Sequence, residues 1–293
     1  MKRGYVALVG APNVGKSTIL NGIIGKNIAS VTAKPQTTTM NLSGIYTKDD
    51  VQIVFLDTPG LHETTRAFNK TMNQEATQAL RQADVVVFIV DGSRPFLKDN
   101  EFIINRIPLD KPLITVINKI DLISPIEAKN IKEQCKETFP NSKLIETSAI
   151  RGFNLNEIVE EIIPHLSEGM SLYEENIFTT ATKEFLISET IRAKAMMLTK
   201  QEIPHSIAVV VDELIENEEK MIAYCRIICE RKSQRGILIG SGGKMIKRIR
   251  LQSEYELKNM FGKPCELDLF VAVIENWRDD PKKIKRIQKQ RRG

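Results

Sequence analysis

The first 167 residues alternate short apolar runs with stretches of helical periodicity. Five runs have the length of a strand and consist mostly of Val, Ile and Leu, which is typical of parallel strands buried on both faces. They lie at 5–9, 51–56, 85–90, 113–117 and 143–147. The alternation predicts a doubly wound α/β sheet. Ligands of such sheets bind beyond the carboxyl ends of the strands, so the residues after each run are the first candidates for function.

The pattern changes after residue 167. Residues 169–182 contain several acids and few paired apolar positions, which predicts an exposed linker. The following segment predicts a smaller α+β domain of element order αββααβ. It begins with a helix from Lys183 and ends with a strand over 266–273. The predicted domains are therefore 1–168 and 183–293, joined by the linker at 169–182.

Charge is distributed unevenly along the 293 residues, whose formal net charge is +5. Residues 1–230 hold 25 Lys and Arg against 30 Asp and Glu, and residues 231–293 hold 17 against 7. The two parts therefore carry about −5 and +10. Such polarisation favours a polyanionic partner for the C-terminal part, either nucleic acid or an acidic membrane surface. A solvated basic tail is the alternative.

Cysteine usage indicates a reducing compartment. The four cysteines lack the paired spacing of zinc ligands, and Cys225 and Cys229 share one face of a strand-like run, which favours reduced core residues over a metal site. No segment resembles a secretion signal or a membrane span. We therefore expect a cytoplasmic protein, with peripheral attachment at the inner face of the cell membrane as an extension of that location.

A complete phosphate-binding P-loop follows the first apolar run. Its glycines allow successive N–H groups to surround phosphates, Lys16 supplies a positive charge, and the hydroxyl of Ser17 is a ligand for Mg²⁺. The start of the next helix adds its positive dipole end. The predicted phosphate-binding residues are Gly10, Ala11, Pro12, Asn13, Val14, Gly15, Lys16, Ser17 and Thr18.

An Asp-x-x-Gly motif follows the second run. There it places an acid near Mg²⁺ and a glycine amide near the γ-phosphate, although the motif alone is a common turn. It predicts a second switch region that continues to about residue 70. Its first residues are Asp57, Thr58, Pro59, Gly60 and Leu61.

The ends of the fourth and fifth runs together predict a guanine pocket. The carboxylate of Asp121 can accept hydrogen bonds from N1–H and the exocyclic amine of guanine, a donor pair that adenine lacks. The stem of Lys119 can cover the base, and the amide of Ala149 can donate to the guanine oxygen. The predicted pocket residues are Asn118, Lys119, Asp121, Ser148 and Ala149. Four ordered motifs at strand ends favour GTP over ATP.

A polar loop between the first helix and the strand-like Leu42 to Tyr46 is the candidate first switch. One threonine hydroxyl there is expected to complete the Mg²⁺ shell only when the γ-phosphate is present, which would couple loop order to the bound nucleotide. A polar turn is the alternative. The candidate residues are Gln36, Thr37, Thr38, Thr39 and Met40.

The second domain contains a G-x-x-G loop that opens a basic helix. Glycines let a nucleic-acid strand approach the backbone closely, while amides and the helix dipole meet its phosphates. A flexible turn between helices is the alternative. The predicted RNA-binding residues are Ile239, Gly240, Ser241, Gly242, Gly243, Lys244, Lys247 and Arg248.

Trp277 and a basic run at 282–292 follow the last predicted strand. The indole either stacks on a base or closes the hydrophobic core, and the core is favoured. The basic run is compatible with ribosomal RNA phosphates or with acidic lipids.

With these motifs in this order, the whole chain resembles the Era family of translation-factor-related GTPases. The resemblance implies an α/β P-loop GTPase domain followed by an α+β type II KH domain. It implies slow GTP hydrolysis, binding of small-subunit (16S-type) ribosomal RNA near its 3′ end, and assistance in assembly of the small ribosomal subunit. Separately from the resemblance, we expect a monomer. The resemblance also assigns the Mg²⁺ ligands as Ser17, Thr38 and Asp57.

The resemblance leaves parts of the mechanism open. Leu61 stands where Ras-like proteins carry a water-orienting glutamine, and no general base is assigned. Asn13 matches a residue that helps hold K⁺ in relatives with a hydrophobic residue after the glycine of the second switch. A side chain that stabilises the turn is the alternative. Thr39 and Gly242 depart from the arginine and lysine found in many relatives.

Two other classes of function compete with this interpretation. One is a nucleotide-dependent RNA or membrane scaffold with negligible hydrolysis. The other is an RNA-modifying enzyme triggered by GTP, which the lack of clustered Cys and His ligands disfavours.

Overall fold

The computed structural model describes residues 1–26, 28, 42–57, 76–199 and 207–280. The described residues up to Thr180 form one compact unit, and those from Ala181 onward form a second.

The first unit is built on a sheet of strand order β2-β3-β1-β4-β5-β6. Its parallel strands are β1 (Lys2–Val9), β3 (Val51–Asp57), β4 (Val85–Asp91), β5 (Leu113–Asn118) and β6 (Lys143–Glu146). β2 (Leu42–Lys48) runs antiparallel to β3. Every residue of β4 is buried, as its continuous Val and Ile run predicts. The doubly wound sheet predicted from the sequence is confirmed.

Helices join these strands. They are α1 (Lys16–Ile24), α2 (residues 76–82), α3 (Phe96–Ile104), α4 (Pro125–Thr138) and α5 (Leu155–Ile162). α4 has a capping box, in which the Ser124 hydroxyl accepts from the Glu127 amide and the Glu127 carboxylate accepts from the Ser124 amide. After α5, β7 (Ser167–Glu168) pairs antiparallel with β1.

The segment that follows β7 differs from the exposed linker predicted over 169–182. Residues up to 180 belong to the first unit. The buried side chain of Gln52 donates to the Tyr173 carbonyl at 2.8 Å and accepts from the amides of Leu172 at 2.6 Å and Tyr173 at 2.9 Å. Farther along, the amide of Ile45 donates to the Phe178 carbonyl at 2.9 Å. This segment therefore covers the edge of the sheet at β2.

The second unit has the predicted order αββααβ. Its elements are α6 (Lys183–Leu198), β8 (Ala208–Glu216), β9 (Met221–Cys229), α7 (Lys232–Ile239), α8 (Lys244–Phe261) and β10 (Cys265–Val273). β9 is the central strand, antiparallel to β8 and parallel to β10. A short 3₁₀ turn at Ser241–Gly243 separates α7 from α8.

The two faces of this smaller sheet are covered differently. The helices pack on one face over a core that includes Cys225, Cys229 and Cys265. On the other face Trp277 is 2% exposed and packs against Ala208, Val210 and Ile228. The core position predicted for Trp277 is confirmed, since the indole is enclosed.

All four cysteines are reduced and buried. Burial raises the pKa of the Cys225 thiol to about 12, so the thiolate is scarce at neutral pH. In the described ranges no cluster of three or more His, Cys, Asp or Glu is arranged to hold a metal. Cys225 and Cys229 are core residues, as the sequence predicts. None of the described helices is both long enough and apolar enough to span a bilayer.

Candidate nucleotide site and RNA-binding surface

The P-loop connects β1 to α1 and depends on two glycines. Gly15 has φ 105°, a conformation that side-chain-bearing residues rarely adopt. A Cβ at Gly15 would lie 2.2 Å from the side-chain nitrogen of Asn118, and one at Gly10 would lie 2.4 Å from the carbonyl oxygen of Ile89. The loop can therefore keep this path only with glycine at both positions.

Lys16 is buried inside the curve of this loop. Its Nζ donates to the carbonyl oxygens of Gly10 and Ala11, each at 3.0 Å. Burial lowers the pKa of Lys16 from 10.5 to about 8, and the negative charge of Asp57 partly opposes this shift. An anion placed at the loop would favour the charged ammonium, so the geometry suits a phosphate.

The side chains of Ser17 and Asp57 place two oxygen atoms next to each other beside the loop. The hydroxyl of Ser17 donates to Oδ2 of Asp57 at 2.7 Å, and Asp57 is fully buried at the end of β3. A hydroxyl and a carboxylate are the ligand types that Mg²⁺ takes from proteins, so these residues fit that ion. Thr38, the third expected ligand, lies outside the described residues.

Both predicted switches fall largely beyond the part of the chain that the structure describes. The first, Gln36 to Met40, lies wholly outside it. Of the second, only Asp57 is described, and Thr58, Pro59, Gly60 and Leu61 are not.

Asn118 links the phosphate loop to the loop after β6. Its Nδ2 donates to the Val14 carbonyl at 2.7 Å, and its Oδ1 accepts from the Ala149 amide at 3.0 Å. The structure thus brings three separate loops together around one buried side chain. It also engages the Ala149 amide within the protein, whereas the sequence predicts this amide as a donor to guanine.

Asp121 is held as an acceptor at the same edge of the sheet. Ser148 donates its hydroxyl to Oδ1 of Asp121 at 2.6 Å, and the guanidinium of Arg151 lies 3.8 Å from Oδ2. The Ser148 hydrogen bond is the main cause that lowers the pKa of Asp121. The carboxylate is therefore ionised at neutral pH, as a receptor for the two donors of guanine requires.

Lys119 has a partner that the sequence motifs do not include. Its Nζ donates to Oδ2 of Asp91 at 2.6 Å, and its own backbone is left-handed, with φ 65°. Asp91 is the last residue of β4 and is followed by Gly92 and Ser93. An acid at a strand end before Gly-Ser is typical of an Asx turn, and this was the available signal.

The G-x-x-G loop of the second unit is made of left-handed glycines. Gly240, Gly242 and Gly243 have φ of 72°, 58° and 75°. A Cβ at Gly240 would lie 2.7 Å from that of Met245, whereas the Cβ positions of the other two face open space. The space beside Gly242 and Gly243 is therefore open.

The basic side chains predicted for RNA lie on the first turns of α8. Lys244, Lys247 and Arg248 are exposed, and none forms an ion pair with a carboxylate of the described ranges. Their charge is therefore available to phosphates. Ile239, the last residue of α7, packs partly against the core of the unit.

Two family models match the chain. The model described as 50S ribosome-binding GTPase matches residues 5–119, and a KH domain model matches residues 202–278. A GTPase Era from Leuconostoc citreum (strain KM20) is 39% identical over 287 residues, which cover 97% of this chain and 95% of the relative.

Two solved structures of Era are similar over nearly the whole chain. One is a variant of Aquifex aeolicus Era bound to GDP·AlF4⁻, with a TM-score of 0.92, 36% identity and coverage of 98% of this chain and 99% of that one. The other is Era in complex with MgGDPNP and nucleotides 1506–1542 of 16S ribosomal RNA, with a TM-score of 0.91, 38% identity and 98% coverage of both chains. With its P-loop, its guanine-pocket motif at residues 118–121 and its G-x-x-G loop in one polypeptide, the chain belongs to the Era family of GTPases.

Proposed function

We propose that this protein binds and slowly hydrolyses GTP and binds small-subunit ribosomal RNA near its 3′ end, assisting assembly of the small ribosomal subunit. The observation that carries the nucleotide assignment is the link through Asn118, which joins the phosphate loop at Val14 to the loop that holds Ala149. The same edge of the sheet carries the ionised Asp121. A phosphate site and a guanine acceptor are thereby fixed relative to each other.

Each residue of the nucleotide site has a distinct role in this proposal. Amides of the P-loop and the ammonium of Lys16 bind the phosphates, and Asp121 selects guanine. Ser17, Asp57 and, by family resemblance, Thr38 would hold Mg²⁺. When bound, that ion neutralises charge on the β- and γ-phosphates.

The general base for hydrolysis is unknown in this proposal. We assign none, and Leu61 has no side-chain group that could orient water. Asn13, which has a left-handed backbone with φ 66°, is proposed to help hold K⁺ against the phosphates. Turnover should then be faster in KCl than in NaCl, and equal rates in wild type and Asn13→Ala would contradict this role.

RNA binding is assigned to the G-x-x-G loop and the start of α8. The open space beside Gly242 and the charges of Lys244, Lys247 and Arg248 suit the phosphates of a short single strand. The relative solved with nucleotides 1506–1542 of 16S ribosomal RNA supports a target near the 3′ end.

We further propose that the protein is a cytoplasmic monomer. The basic run at 282–292 would allow peripheral contact with an acidic membrane surface.

GTP is proposed to increase the affinity for RNA relative to GDP. The proposed domains are residues 1–168 and 183–293, and the packing of residues up to 180 in the first unit supports a connection shorter than 169–182.

Phosphate release from GTP and from ATP tests the enzymatic part of the proposal, with Lys16→Ala as the control. We expect release from GTP alone and a loss of activity in the variant. Release no faster than in Lys16→Ala would favour the nucleotide-dependent scaffold. Crosslinking of bound RNA in cells tests the other part, and a failure to enrich small-subunit ribosomal RNA would contradict it.

A further inference from the structure

A buried carboxylate lies beside the predicted guanine pocket without belonging to any of its motifs. Asp91 ends β4, is 3% exposed, and is directly paired in register with Asn118 of β5. A buried charge is costly unless ionic or hydrogen-bonding partners compensate it. The groups that contact the carboxylate of Asp91 therefore indicate its role.

Three hydrogen-bond donors and one guanidinium surround this carboxylate. Oδ1 accepts from the amide of Ser93 at 3.0 Å and from its hydroxyl at 2.7 Å. Oδ2 accepts from Nζ of Lys119 at 2.6 Å and lies 3.4 Å from Nε of Arg94. Although burial works in the opposite direction, the hydrogen bonds from Lys119 and Ser93 lower the pKa of Asp91. The group is therefore an anion at neutral pH, and it faces the ammonium of Lys119.

The contact with Asp91 restricts the side chain of Lys119. A lysine side chain has four rotatable bonds, and its ordering costs conformational entropy whenever a ligand requires one conformation. In this structure the backbone at Lys119 is already left-handed and its ammonium is tied to a buried anion. The alkyl stem between these two fixed ends is consequently restricted before any base arrives.

We propose that Asp91 is a positioning residue for the guanine site, which sets nucleotide affinity by holding the stem of Lys119 where it covers the base. The inference rests on the proposed binding of GTP and GDP. In this proposal Asp91 does not contact the nucleotide. Its effect must therefore pass through Lys119 and must be the same for GDP and for a GTP analogue, since both carry the same base.

A structural role alone makes a different prediction. If Asp91 served only to close the turn with Ser93 and Arg94, its loss would lower the thermal midpoint and would affect nucleotide release equally whether or not Lys119 is present. A double-mutant cycle separates the two roles, because it measures whether two side chains act as one unit.

The test uses the full chain and the release rate of a fluorescent GDP. The cycle consists of wild type, Asp91→Asn, Lys119→Met and the double variant, and Asp110→Asn, an exposed acid before β5, is the matched control. Loss of a charged hydrogen bond should accelerate release from Asp91→Asn by about tenfold or more. The same substitution made on top of Lys119→Met should change the rate by less than about twofold.

Several results would overturn the inference. An unchanged release rate in Asp91→Asn, or an equal acceleration in both backgrounds, would show that Asp91 does not act through Lys119. Should Asp91→Asn not fold, Ser93→Ala removes one hydrogen bond at an exposed residue and should still speed release by about threefold. An unchanged rate in Ser93→Ala would then count against the inference. Wild type that binds no GDP would instead contradict the proposed function itself.

Discussion

The Nδ2 atom of Asn118 lies 2.7 Å from the carbonyl oxygen of Val14, and this buried hydrogen bond joins the predicted guanine pocket to the phosphate loop. Asn118 also accepts from the amide of Ala149 at 3.0 Å. One side chain thus connects the ends of β1, β5 and β6. This arrangement has consequences for both stability and nucleotide binding.

Asn118→Ala should destabilise the first unit and weaken the binding of GDP and GTP together. The substitution leaves the Val14 carbonyl and the Ala149 amide without their partner, which costs on the order of 1–3 kcal/mol for each group left buried. Thermal unfolding and calorimetric titration measure the two effects. Asn105→Ala, at an exposed position after α3, is the control. Wild-type affinity for both nucleotides in Asn118→Ala would contradict the role of this link.

The affinity for GDP should fall as the pH rises above about 8. Burial lowers the pKa of Lys16 to about 8, so the lysine of the nucleotide-free protein is charged below that pH and neutral above it. Because phosphate binding requires the charged form, a proton must be taken up on binding at higher pH. The affinity should then drop by up to about tenfold per pH unit.

Calorimetry in buffers of different ionisation enthalpy measures this proton uptake directly. Lys16→Arg carries a guanidinium that stays charged, so it should show a flat profile between pH 7 and 9. A flat profile in wild type would mean that the lysine is not neutral in the empty site.

Lys247→Ala with Arg248→Ala should weaken RNA binding uniformly across sequences. Both side chains are exposed on α8, where they are available to phosphates. Removing two phosphate contacts should reduce the slope of log affinity against log salt by about 2. Fluorescence anisotropy with a 3′-terminal small-subunit oligonucleotide at several salt concentrations checks this. Lys136→Ala, on an exposed face of α4, should leave the slope unchanged.

Gln52→Ala should loosen the segment that follows β7. The substitution removes three hydrogen bonds to the backbone of Leu172 and Tyr173, at a cost of about 2–4 kcal/mol. Hydrogen exchange of the peptide over 169–180 should accelerate strongly, whereas the exposed change Gln134→Ala should leave it protected. Full protection in Gln52→Ala would show that the apolar contacts of the segment suffice.

The strands and helices were largely predictable because they coincide with continuous apolar runs or with periodic patterns. β4 follows from an unbroken run of Val, Phe and Ile, and α6 to β10 follow from the alternation beyond Lys183. The cradle of the P-loop was predictable for a related reason, since Gly10 and Gly15 mark places where backbone must approach closely.

What the sequence did not predict depends on single contacts between distant residues. Residues 169–180 have no period, and they are held by β2 and by Gln52, which is more than a hundred positions earlier in the chain. The contact between Asp91 and Lys119 likewise joins residues at the ends of two neighbouring strands. Neither propensity nor hydrophobic pattern carries such information, because both describe local preferences.

Discrimination between guanine and adenine tests the central claim most directly. Calorimetric titration of the full chain with GDP and with ADP should show at least about a 100-fold preference for GDP, because the ionised Asp121 is left without donors when adenine binds. The preference should largely disappear in Asp121→Ala. Equal affinity of the wild type for the two nucleotides would contradict the account.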